Sequence, residues 1–125
     1  MRDFAIQLTH RPGELARVAT VLGRHHVNLK AVAGLALGTH VTIRIIADDV
    51  EAARTALESA NIRFEESEVV SVLVENRAGE LARISAQLGD GGVNLRAIYL
   101  TGSAGNLVEL AIVPDDVKKA KRLLE

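Results

Sequence analysis

Three asparagines and two glycines carry the chemistry that this sequence could do. Asn28, Asn76 and Asn94 each offer an amide donor and an acceptor. Gly13 and Gly79 stand just ahead of segments with helical periodicity, so the N–H groups of Gly13–Leu15 and Gly79–Leu81 read as helix starts. The first N–H groups of a helix lack an intrahelical partner, and together with the helix dipole they make a ready anion site. Glycine also lets a ligand approach the backbone closely. Glu14 and Glu80 follow in the first turn, and His10 stands at the position that matches Asn76. The candidate contacts to a small polar ligand are therefore His10, Gly13, Glu14, Leu15 and Asn28, and again Asn76, Gly79, Glu80, Leu81 and Asn94.

Other groupings lead away from catalysis. His25-His26 are adjacent and do not point to one site on a helix, and no Cys or carboxylate cluster completes a metal shell. Asp48-Asp49 and Asp115-Asp116 each precede a helical period, which suits capping, with Asp48 and Asp115 as the expected N-caps. Gly89-Asp90-Gly91-Gly92 follows a helix and reads as its stop and turn. Arg17 and Arg83 lie off the apolar stripe and are expected on a solvated helix face. No Ser/His/Asp grouping forms a nucleophile site. Neither an enzyme activity nor a cofactor or metal is expected.

The elements that must position these residues come from an internal repeat. Arg11-Pro-Gly-Glu-Leu-Ala-Arg17 recurs 66 residues later as Arg77-Ala-Gly-Glu-Leu-Ala-Arg83. Val27-Asn28-Leu29 and Val93-Asn94-Leu95 keep that offset, whereas Asp48-Asp49-Val50 recurs 67 residues later. The extra residue belongs in the Gly-rich turns around Gly34–Gly38 and Gly102–Gly105.

Each copy begins with a strand, Phe4–Thr9 or Val70–Glu75. Leu15, Val18 and Leu22, and Leu81, Ile84 and Leu88, then form the apolar stripe of an amphipathic helix. Strands follow at Val27–Leu35 and Val41–Ala47, and at Val93–Thr101 and Leu107–Val113. Second helices carry Val50, Ala53, Leu57 and Val117, Ala120, Leu124. Ile62–Glu66 adds a fourth strand to the first copy, giving β-α-β-β-α-β, the α+β ferredoxin-like arrangement with both helices on one face of an antiparallel sheet. The second copy has no fourth strand, so its first strand is left as an edge. Ile62–Glu75 keeps one parity and could be a single bent strand serving both units; that segment or a second copy of the chain is expected to cover the edge.

Composition agrees with two small units, 2–68 and 69–125, in 125 residues. Units of this size are marginal alone, so pairing into a homodimer or higher oligomer is expected. Phe4, Phe64 and Tyr99 are the only aromatics and the net charge is −1, which argues against base stacking and nucleic acid. No apolar run approaches a membrane span and no signal segment opens the chain, so a soluble, cytoplasmic protein is expected.

Asn76-Arg-Ala-Gly-Glu-Leu-Ala-Arg-Ile84, then Gly92-Val-Asn-Leu95 and Tyr99-Leu100-Thr101, resembles the ACT domain, a small regulatory module that binds amino acids. Both copies match, apart from the missing last strand. The second copy is similar to the regulatory domain of phosphoglycerate dehydrogenase, with Asn76 and Asn94 on its asparagines and Val74 where it has histidine. The first copy, with His10 and Asn28, is similar to the regulatory subunit of acetolactate synthase. The resemblance implies an amino-acid sensor whose ligand sits where the turn after strand 1 of one unit faces strand 2 of its partner. An amino-acid biosynthetic enzyme is a possible partner on the same grounds, and a ligand-free assembly module is the alternative.

Overall fold

The computed structural model describes residues Met1–Glu125 as two compact units, Arg2–Ser67 and Glu68–Glu125 with Met1. The first unit runs β1 (Arg2–Thr9), α1 (Glu14–Arg24), β2 (Leu29–Leu37), β3 (His40–Ala47), α2 (Val50–Ser59) and β4 (Glu65–Glu68). The second runs β5 (Val70–Glu75), α3 (Glu80–Asp90), β6 (Leu95–Ala104), β7 (Leu107–Pro114) and α4 (Val117–Leu124). The architecture is α+β, with a four-stranded sheet in the order β2-β3-β1-β4 and a three-stranded sheet in the order β5-β7-β6.

In the first unit the period-2 pattern of β1 turns Phe4, Ile6 and Leu8 to one face, where they meet Ile43 and Ile45 of β3. Val18 and Leu22 of α1 and Ala53, Ala56 and Leu57 of α2 close over them. Phe4 meets Phe64 edge-on, with ring centroids 5.3 Å apart. The second unit repeats the scheme with Val70, Val74, Leu110 and Ile112 under Ile84, Leu88 and Ala120.

Two expectations are corrected. The fourth strand is Glu65–Glu68, not Ile62–Glu66: Ile62 and Phe64 pack into the core, and the hydrogen-bonded stretch begins after them. The Ile62–Glu75 segment is not one strand either. β4 joins β1, β5 joins β7, and Val69 between them donates its N–H to the Met1 carbonyl at 2.9 Å. The edge of β5 is thus not covered by this segment.

The caps move by one residue as well. Asp49 and Asp116, not Asp48 and Asp115, accept hydrogen bonds from Ala52 N and Lys119 N, each at 3.0 Å. The N–H of Asp48 instead bonds the Asn28 carbonyl, and that of Asp115 bonds the Asn94 carbonyl.

β4 is held by charge. Glu66 accepts from Arg54 Nε and Nη2 at 2.8 and 2.9 Å and from Arg2 Nε at 2.8 Å. These bonds, from Arg54 foremost, outweigh desolvation and bring the Glu66 carboxyl down to about 2. Arg54 gains in the same exchange, its guanidinium pushed further above its ordinary value by Glu66 and Glu51.

Candidate functional site

The turns after β1 and β5 are built alike. Gly13 and Gly79 sit at φ +89° and +92°, the left-handed region in which a side chain is strained. From there the chain enters α1 and α3 with no side chain capping either helix, in contrast to the Asp-capped α2 and α4. Each turn is clipped to the facing hairpin: His10 N–H bonds the Thr39 carbonyl at 2.8 Å, and Asn76 N–H bonds the Asn106 carbonyl at 2.7 Å.

Arginines bracket the glutamate of each helix start, a feature that sequence reasoning missed. Glu80 is buried and lies 2.7 Å from Arg83 and 3.1 Å from Arg77. Hydrogen bonds from Arg83 first, then Arg77, hold its carboxyl below the usual carboxylate range against the opposing effect of burial. The Glu14 clamp is looser, 3.4 Å to Arg17 and 3.7 Å to Arg11. Arg17 and Arg83 were expected simply on a solvated face; both remain about half exposed but are ion-paired. The signal was the Arg-x-x-Glu-x-x-Arg spacing in both copies.

The first unit has a cleft of about 340 Å³ between the first turn of α1 and the outer half of β2. His10, Arg11, Glu14 and Leu15 form one side; Gly34, Leu35 and Ala36, with Val41 and Ile43, form the other. Gly34 makes the room: a Cβ there would stand 2.9 Å from Ile43 Cδ1. In the second unit Leu100 faces Leu110 as Gly34 faces Ile43. A glycine inside an otherwise apolar strand was the available sequence signal.

His10, Gly13, Glu14 and Leu15 are thus together, and so are Asn76, Gly79, Glu80 and Leu81. The strand-opening asparagines are not with them. Within the first unit Asn28 lies beside Asp48, at the end of β3 opposite His40, roughly 23 Å away at the usual rise per residue. Asn94 is likewise at the Asp115 end, where Asp115 Oδ1 accepts its N–H at 3.1 Å. All three asparagines are exposed, and their hydrogen bonds are made by main-chain groups.

Comparison with solved structures shows the fold that carries these turns. A protein of Bacteroides thetaiotaomicron superposes with a TM-score of 0.86 at 25% identity, covering 98% of this chain and 85% of its own. The regulatory subunit of aspartate kinase from Thermus thermophilus, in its ligand-free form, superposes at 0.71 with 16% identity, covering 98% and 86%. The α and β subunits of an aspartokinase give 0.68 at 15% identity, covering 98% and 88%. The chain has the tandem ACT fold.

Neither a family model nor a curated protein matches the sequence. Within the tandem ACT fold, the turns after β1 and β5 are the equivalent turns of the two copies. The cleft beside Gly34 belongs to the first. No helix is long and apolar enough to cross a membrane.

Proposed function

We propose that this tandem ACT protein is a non-catalytic, amino-acid-binding regulatory module. The observation that carries this is the uncapped start of α1 opening beside the Gly34 cleft. The free N–H groups and Arg11 suit a carboxylate. His10 and Glu14 suit an ammonium, and the apolar wall of Val41, Ile43 and Leu35 suits a side chain.

Because Asn28 and Asn94 lie at the far ends of their own sheets, they contribute only through pairing. The turn of one unit then meets the strand-opening asparagine of a unit paired with it. The family resemblance supports that arrangement, and it makes a dimer or higher oligomer part of the proposal. Ligand favours one packing over another and so changes what is presented to a partner. The neighbours named as regulatory subunits of aspartate kinase support an enzyme of amino-acid biosynthesis as that partner.

A thermal-shift panel of the common amino acids tests the proposal. Ligand at about 100 times its dissociation constant adds about 2.7 kcal/mol of stability. One amino acid, or one chemical group of them, is expected to raise the transition temperature. His10→Ala and Asn28→Ala are expected to abolish the rise while folding is kept. A panel that moves nothing leaves a ligand-free assembly module and ends the proposal.

A further inference from the structure

The cleft beside Gly34 is polar on one side only. His10, Arg11 and Glu14 stand on the turn, whereas Leu8, Val41 and Ile43 make the floor. Thr9 has the opposite parity to Leu8 in β1, so its hydroxyl turns to the other face of the sheet. No side chain of the floor can donate or accept a hydrogen bond. Across from it, Leu15 is 51% exposed, although it belongs to the same helical stripe as the buried Val18 and Leu22.

The second copy fills this place with a side chain of its own. At the repeat's offset of 66, Leu100 stands where Gly34 stands, and Leu81 where Leu15 stands. Val108 and Leu110 correspond to Val41 and Ile43 at the offset of 67. Leu100 faces Leu110 across the ladder, as Gly34 faces Ile43. The same aliphatic surroundings thus receive a leucine in one copy and an open cleft in the other.

We propose, on the reading of this cleft as an amino-acid site, that its ligand carries a branched aliphatic side chain: valine, leucine or isoleucine. The tail lies over Val41 and Ile43 and against Leu15, in the place that the second copy gives to Leu100. The head stays at the turn. A hydroxyl, amide or charge on the tail would be buried over the floor without a partner, which costs affinity. The cleft, about 340 Å³, is near the lower end of small-molecule sites, about 300–1,000 Å³, and suits a compact tail better than a ring.

Titration calorimetry on the full-length chain tests the class, with alanine, 2-aminobutyrate, valine, leucine, isoleucine, threonine, lysine, aspartate and phenylalanine as probes. Affinity is expected to rise about fourfold for each carbon added from alanine to leucine. Valine, which has a methyl where threonine has its hydroxyl, is expected to bind about tenfold more tightly than threonine, or better. Val41→Thr puts a hydroxyl into the floor at nearly the same volume and is expected to shrink that gap about threefold or more. A loss of stability alone weakens both ligands equally and leaves the gap as it was. A best binder that is polar, charged or aromatic overturns the proposal and leaves the amino-acid module standing. So does a gap between valine and threonine that Val41→Thr does not change. A panel in which nothing binds ends the functional reading itself, and this inference with it.

Discussion

Glu66→Gln removes the charge that holds β4 against β1, and its cost should depend on pH in a calculable way. The Glu66 carboxyl lies at about 2 in the folded unit against an ordinary value of 4.5. The folded value is the lower one, so the ionised form favours folding, and the stabilisation is complete above the unfolded value. It is lost as pH falls from about 4.5 through about 2. At neutral pH the difference corresponds to a ceiling of about 3.4 kcal/mol. The partners Arg54 and Arg2 are 31% and 40% exposed, so solvent screening brings the expected contribution to about 1.5–2 kcal/mol. By the same relation roughly 60% should remain near pH 3.5 and about an eighth near pH 2. Urea denaturation of wild type and Glu66→Gln between neutral and acid pH reads this directly, as two stability curves that converge on acidification. A gap that stays constant with pH, or widens in acid, would refute the assignment of β4 to this ion-pair cluster.

Other outcomes follow from the same geometry. Gly79→Ala places a side chain at φ +92° and should cost about 1–2 kcal/mol by chemical denaturation, although there is open space around it. Asp49→Ala removes the cap on Ala52 N and should cost about 1 kcal/mol, whereas Asp48→Ala, whose bond is made by the backbone, should cost less. Gly34→Val puts its Cβ against Ile43 and fills the cleft; about 1–3 kcal/mol of strain is expected, measurable by thermal melting without ligand. On the proposed function, the same variant no longer responds to the amino acid that shifts wild type.

Long periodic stretches made most of the fold legible. The stripes Leu15-Val18-Leu22 and Leu81-Ile84-Leu88 and the alternation of β1 and β3 follow from geometry that any helix or half-buried strand must satisfy. β4 was harder to place, because burial and hydrogen bonding separate there. Ile62 and Phe64 carry the apolar signal, while the strand itself is Glu-Glu-Ser-Glu, a poor strand former. What holds it is Arg54, twelve residues away in sequence, together with Arg2. The cap moved for a smaller reason: two adjacent aspartates fit the pattern equally, and only the three-dimensional reach to Ala52 N separates them.

The candidate site divides along the same line. Local geometry bound His10 to Gly13–Leu15 and Asn76 to Gly79–Leu81, and those groups are indeed compact. Asn28 and Asn94 repeat in sequence at a fixed distance from the turns, but a spacing in sequence carries no information about which end of a sheet a residue reaches. Gly34 is the reverse case. Its role rests on the cross-strand neighbour Ile43, which the register alone brings to it.

The differences between the copies suggest how the proposed module divides its work. Both helix starts are uncapped, yet each has a glutamate that turns its carboxylate to flanking arginines. In the second unit that clamp is tight, with Glu80 buried between Arg77 and Arg83, and Leu100 occupies the position that Gly34 leaves open. In the first, Arg11 stands 3.7 Å from Glu14 and is 67% exposed beside the cleft. A ligand carboxylate competes for Arg11 against a long, weak ion pair, but for Arg77 against a closer one. On the proposed function, the first copy therefore presents the more available half-site, and the second has the same turn held by a tighter ion-pair clamp.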